Sequence, residues 1–447
     1  MSGLHRPPSR RRLILLIAIL LVVVAGTVTY LYEPPPDTAA AAPGYWVSTH
    51  GSNTASGTAG HPWLTVAHAV ATAPTGSVIY VRTGTYRPFT IARTGLTVTS
   101  APGERATIAG RAGTRDVVLI NASGVTLSNL TISGCVPNKN ANADVTGDQG
   151  SGIRIASTTG VTVSGVIVRD SHGLNAGGLP VGCYGILVTS SRDVQVTGSE
   201  VYHNGAGISV SHAGRGVVVA NNNVHDQDVI MRNTLAADDD FGGYGLGAMF
   251  VTDDPGPVFR GNVVRRNYGQ STDYGVDGGG MELYDAFHTT ITGNTFVANN
   301  GVMETGSGSN GTCAGTVFSD NSASGDQDPS GLDSDTGLVL RCGAGMVIKG
   351  NTFVHLSDFT FLLSTGDTFG GSISGLQISG NTVTRRSGAV VYRLQYADGT
   401  PTVDIDANRY ITGEDSFAVL NGTMSETAVT FAVWRSRTGH DAASRLL

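Results

Sequence analysis

Two glutamates, Glu282 and Glu304, stand 22 residues apart in matching settings, Gly280-Met281-Glu282-Leu283 and Val302-Met303-Glu304-Thr305. If one structural repeat separates them, they stack on adjacent strands about 4.8 Å apart. Two carboxylates so placed repel each other. The arrangement persists only if one keeps its proton, a cation sits between them, or both splay into water. The first case is general-acid chemistry, the second metal chemistry, and the third a solvated acidic face. Asp285 and Asp253 continue the same pattern, so four carboxyl groups are expected to converge, with His212 beside Asp253 as a further acid–base group. If Ca²⁺ is the cofactor, Asp253, Glu282, Asp285 and Glu304 are its ligands.

Side chains can converge this way only if the chain repeats. A recurring phrase of short apolar run, Gly-Asn turn and second apolar run appears around Asn262, Asn294, Asn351 and Asn381, with Asn129 and Asn321 in Ser-Asn and Asp-Asn variants. Successive Asn at 262, 294, 321, 351 and 381 are 32, 27, 30 and 30 residues apart, and the interval falls near 23 where loops are short. Three short strands per interval cannot bury an apolar face alone and must stack turn upon turn. That predicts an all-β, right-handed parallel β-helix, with Asn129, Asn262, Asn294, Asn321, Asn351 and Asn381 along one edge.

Aligning the first strand of each turn matches Ile153, Ile186, Ile208, Met249, Met281 and Met303 as inward residues. Period-two alternation then turns Arg154, Leu187, Ser209, Phe250, Glu282 and Glu304 outward. Beyond them the outer column continues as Ser157, Ser190, His212, Asp253 and Asp285. Long insertions follow the third strands, at 134–151, 170–184, 225–246, 267–279 and 322–336. They carry Asp238-Asp239-Asp240, Tyr244, Asp273, Tyr274 and Asp277 towards the outer face of the first strands. Tyrosines among carboxylates suit a sugar, which offers an apolar ring face and hydroxyls together. Tyr244, Tyr274, Tyr284, Asp277 and Arg154 are the expected substrate-binding set.

Composition narrows the partners. The 447 residues include 62 glycines, about twice the ordinary share, and only 14% are charged. With 28 basic against 35 acidic residues, the net charge of −7 repels nucleic acid and leaves a neutral or cation-bridged ligand. Leu13 to Leu31 is uncharged, preceded by Arg10-Arg11-Arg12 and followed by Glu33-Pro34-Pro35-Pro36. This reads as a single membrane anchor with the Arg cluster inside, or alternatively as a signal cleaved near Ala39 to Ala42. Either way the rest lies outside the cytoplasm, where Cys135 with Cys183 and Cys313 with Cys342 are the favoured disulfides among three pairings. The expected organisation is a basic tail and anchor at 1–32, a Pro/Ala linker at 33–44, a β-helix at 45–400 and its C-terminal cap at 401–447, acting as a monomer.

The segment Tyr45-Trp46-Val47-Ser48, Gly51-Ser52, Gly57-Thr58, Pro62-Trp63 and Gly76-Ser77-Val78-Ile79-Tyr80-Val81-Arg82-Thr83-Gly84-Thr85-Tyr86 resembles the N-terminal signature of the pectate-lyase-like β-helix superfamily. The tail Trp434, Thr438-Gly439, Asp441-Ala442-Ala443-Ser444 is similar to the closing segment of many extracellular carbohydrate-active members. The resemblance implies an N-terminal capping helix between Trp63 and Thr72, and active sites on the first strand. It implies a polysaccharide substrate as well. In a glycoside hydrolase one carboxylic acid protonates the leaving oxygen and a second carboxylate attacks the sugar or activates water, and here Glu282 and Glu304 fill those roles with Asp285 and Asp253 in support. In a lyase acting on a uronate, Ca²⁺ would hold the substrate, and His212, Tyr284 or Arg341 would supply the base. A third alternative is a non-catalytic surface protein that binds glycans. The Asp253-Asp254 pair alone echoes the polygalacturonase pattern, without its Gly-His-Gly and Arg-Ile-Lys partners.

Overall fold

The computed structural model describes residues 44–447 apart from 112–113, 138–148, 236–239, 309–312, 326–334, 367–369, 372, 397–400, 414 and 422–426. The basic tail, the anchor and the linker up to residue 43 therefore lie outside the described residues, as do Asp238 and Asp239, while Gly44 already belongs to the first strand, Gly44–Val47. Among the described residues no helix is long and apolar enough to cross a membrane.

Each turn of chain contributes one strand to each of three parallel sheets, of 12, 13 and 14 strands among the described residues. The sheets are named here by the order in which a turn visits them, so Gly279–Ala286 lies in the first, Thr290–Thr292 in the second and Thr295–Val297 in the third. Parallel strands of this kind leave a continuous interior, and Val98, Leu127, Val163, Val196, Val219, Phe259, Ile291, Phe318 and Ile348 stack through it fully buried. Towards the C-terminus the interior becomes aromatic. Phe296, Phe318, Phe353, Phe361, Tyr392 and Trp434 follow one another with ring centroids 4.8 to 6.4 Å apart. Such a column fills volume that branched side chains alone would leave open.

Both ends are covered. Helix Val66–Thr72, capped by the Thr65 hydroxyl accepting from His68 N–H, packs on the first strands through Val66, Ala69 and Val70. Strand pairing continues past residue 400: Thr402–Asp406, Arg409–Ile411 and Ala418–Leu420 each add to a sheet. Helix Phe431–Thr438 follows, its Trp434 donating to Asp441 at 2.7 Å, and strand Arg445–Leu446 closes the third sheet against Arg409 and Tyr410.

The second-to-third-strand corner is a side-chain ladder. Asn222, Asn262, Asn294, Asn321, Asn351, Asn381 and Asn408 each accept, through Oδ1, from the backbone N–H of the preceding rung. From Asn222 onward the preceding rung's Nδ2 donates to the same oxygen, at 2.9 to 3.1 Å. Ser444 Oγ ends the column by accepting from Asn408 N–H.

Asn129 is a correction to the predicted edge. Register places it opposite Gly165 and Gly261, one residue before the rungs, where φ is positive. It occupies this turn because Asn tolerates the left-handed region, and Leu130 stands where a rung would be. A second ladder of Asn204, Gln227, Asn267 and Asn299 lies after the third strand, unmarked by any repeated phrase. Cys135 is bonded to Cys183 and Cys313 to Cys342, as expected.

Candidate active site

The outer face of the first sheet is set by its register. Arg154, Leu187, Ser209, Gly247, Glu282, Glu304, Val339 and Leu362 are consecutive Cα partners across parallel strands. Glu282 and Glu304 are therefore neighbours in one outward column, about 4.8 Å apart at the backbone, as their spacing predicts.

The fourth strand departs from the expectation by three residues: Leu246, not Met249, aligns with Ile208 and Met281. Phe250 thus leaves the outward column and takes a positive-φ position with Ser157, Ser190, His212 and Asp285. Met249 is not an inward residue. It joins Tyr184, Leu187, Ala206, Met231 and Tyr244 in a second, outer apolar cluster. Tyr244–Val251 is apolar on both faces because both are covered, so alternation carries no information about register there.

The loops after the third strands build a wall beside Glu282. Tyr244 is fully buried, its hydroxyl 2.8 Å from Ser209 Oγ, and its ring lies where a side chain at Gly247 would stand. Asp240 locks two loops together. It accepts from Ser271 Oγ at 2.7 Å, Thr272 N–H at 2.8 Å and Thr234 N–H at 2.8 Å. Burial opposes charge on Asp240, but hydrogen bonds from Ser271, Thr234, Asp273 and Thr272 outweigh it and hold the carboxyl below its usual range. This lock sets the hairpin of Gly269–Ser271 and Gly275–Asp277, whose last residue is Asp277.

Asp277 and Glu282 form the electrostatic centre of the site. Burial pushes the Asp277 carboxyl up to about 7, with Gly278 N–H opposing and the charges of Asp240 and Asp273 adding to the rise. Burial also carries Glu282 well above the usual carboxylate range, and Asp277 raises it further. Part of the Glu282 residue still meets solvent, so its proton can exchange. Asp277 is thus a partner of the acid, a role that type and spacing did not indicate. Glu304 differs: it is exposed and ion-paired with Arg341. The pair on adjacent strands consists of one enclosed acid and one carboxylate held against a guanidinium. That pairing removes Arg341 from the role of base.

The remaining expected residues separate. Asp285 is 2% exposed and accepts from Ser307 Oγ at 2.6 Å and Gly308 N–H at 3.2 Å, a turn-fixing duty. Asp253 lies three residues beyond the column, accepting from Arg215 N–H at 2.8 Å. His212 is exposed, its ring 5.2 Å from Phe250, whose other neighbour is Tyr284. Arg154 is 6% exposed and bound to Asp116 at 2.9 Å, so it supports the sheet and does not face a ligand. Tyr244 is likewise wall and not contact surface. Tyr284 is half-buried beside the pair, and Tyr274 is exposed on the hairpin tip. The four carboxylates expected to hold Ca²⁺ do not converge, and among the described residues no cluster of His, Cys, Asp and Glu is arranged to hold a metal.

The family described as "Right handed beta helix region" matches residues 115–323. No curated protein matches the chain in sequence. Among solved structures, the GH136 lacto-N-biosidase of Eubacterium ramulus is 14% identical with a TM-score of 0.54, covering 85% of this chain and 68% of its own. The Dettilon tailspike protein is 14% identical with a TM-score of 0.51, covering 79% of this chain and 63% of its own. At such identities the likeness is one of fold. Strand order, register and the family match agree: the chain is a right-handed parallel β-helix protein.

Proposed function

We propose that this protein is a carbohydrate-active enzyme of the glycoside hydrolase type, with Glu282 as the general acid and Glu304 as the partner carboxylate. One observation carries the reading: on adjacent strands of one face, an acid whose proton is favoured by burial and by Asp277 stands beside a carboxylate ion-paired with Arg341. Glycoside hydrolysis needs two carboxyl groups in opposite protonation states. Glu282 gives its proton to the leaving glycosidic oxygen as the C–O bond breaks. Glu304 attacks the sugar or takes a proton from the attacking water, and one water is consumed per bond. The solved β-helices include a lacto-N-biosidase, so the fold supports such chemistry.

The arginines beside the column, Arg154 and Arg341, are both committed to carboxylates, which suits a neutral glycan better than a uronate. The apolar stretch Leu13–Leu31 behind Arg10-Arg11-Arg12, with two disulfides in the folded part, supports a membrane-tethered ectodomain outside the cytoplasm. The test is incubation of the protein with neutral and uronate polysaccharides, with and without EDTA, scoring reducing ends and unsaturated products separately. Reducing ends without unsaturation, indifferent to EDTA, are expected. Unsaturated products lost on chelation, or binding with no product, would overturn the reading.

A further inference from the structure

The outer face of the first sheet changes character at Glu282. On the N-terminal side, Arg154, Leu187 and Ser209 are 6%, 0% and 0% exposed, and Gly247 is overlaid by the Tyr244 ring. On the C-terminal side, Glu304 is exposed and Val339 and Leu362 are half-buried. The next position, Arg393, is buried again, held by Asp358 with its guanidinium over the Phe359 ring. An accessible strip thus runs over four strands, about 14 Å, and Glu282 stands at its sealed end. The seal is a packed apolar cluster with a locked loop behind it, the loop that Asp240 ties to the Ser271–Asp273 turn.

We infer that a glycan reaches Glu282 chain end first, lying over Glu304, Val339 and Leu362, and that the enzyme trims sugars from that end and does not cut within the chain. The inference rests on the hydrolytic reading above and adds the mode of attack to it. An internal cut requires polymer to continue past the acid on both sides. Beyond Glu282 the position of the next sugar is filled by Tyr244, whose hydroxyl is tied to Ser209. In the other direction Val339 and Leu362 offer aliphatic surface to the apolar faces of sugar rings, and the Arg393–Asp358 pair marks the end of the strip. A short oligosaccharide, or the last few units of a longer chain, fits this window.

The experiment uses the full-length protein in detergent with neutral cello-, xylo-, chito- and galacto-oligosaccharides of graded length, labelled at the reducing end. At early times a single small product and chains shortened by that unit are expected. A scatter of mid-length products would overturn the inference while leaving the hydrolytic reading standing. Cleavage of none of the glycans would overturn that reading and the inference with it. Leu362→Arg, placed outside the catalytic pair, is expected to lower kcat/KM for the longest oligosaccharides by at least about tenfold while leaving the shortest cleaved one within about twofold. Equal effects at every length would overturn the track over Leu362.

Discussion

The Asn corner and the Glu282–Glu304 face are built by the same operation, the stacking of like residues at strand spacing, with opposite electrostatic results. In the corner, each amide presents a donor and an acceptor, so a copy above satisfies the copy below, and Asn294 is hydrogen-bonded on both sides. Repetition there is self-complementary. On the first sheet the repeated group is a carboxyl, which is only an acceptor when ionised. Repetition there is self-repelling, and the structure resolves it by giving the two carboxyls different environments: enclosure and Asp277 for Glu282, exposure and Arg341 for Glu304. A solenoid can therefore carry chemistry at the place where its own repeat is electrostatically unfavourable.

The sharpest way to break this contrast is to remove the proton donor. Glu282→Gln should lower turnover at least about a hundredfold with circular dichroism and thermal unfolding unchanged, the low end for general acid–base catalysis. Parental turnover in this variant would move the chemistry elsewhere. Glu304→Gln should also lower turnover, without altering the enclosure of Glu282.

On the ladder side the effect is on stability alone. Asn294→Ala strands the buried backbone N–H of Asn262 and takes one of two donors from the Asn321 side-chain carbonyl, which keeps the backbone N–H of position 294, at a cost of about 1–3 kcal/mol for the group left unsatisfied. Urea unfolding should show that loss, with activity per folded molecule intact.

A smaller effect separates the two regions by pH. Asp277 has a folded value of about 7, above its ordinary range, so the folded state binds more protons than the unfolded state. Stability from this group is complete below about pH 4, the unfolded carboxylate value, and is lost as pH rises towards 7. Asp277→Asn should flatten that decline in thermal unfolding measured across the interval. It should also move the alkaline limb of activity to lower pH, because a charge that raises Glu282 is gone. An unchanged limb would leave burial as the whole cause. The smallest effect is at Asn129, where Asn129→Gly should change stability by less than about 0.5 kcal/mol, since the position asks only for positive φ. A loss like that of Asn294→Ala would mean that Asn129 is a rung after all.

Much of this was legible in the chain. The three-strand repeat, the Asn corner from Asn262 to Asn381, both disulfides and the stacking of Glu282 on Glu304 follow from spacing and period, because in a solenoid each residue's neighbours are one repeat away. Asn129 was misplaced because Asn serves both the left-handed turn and the rung. The strand Tyr244–Val251 was misaligned because an outer apolar cluster hides which face is inside.

What the sequence determined by itself was the coil and the alignment of two carboxyls upon it, since both depend on short-range periodicity. Only the tertiary structure decided that Asp285, Asp253 and Arg154 serve turns and sheet, that Asp277 returns on a locked hairpin to face Glu282, and that Arg341 answers Glu304. The physical reason is that protonation depends on burial and on the charges nearby in space. Those are set by insertions of irregular length, whose paths no period records.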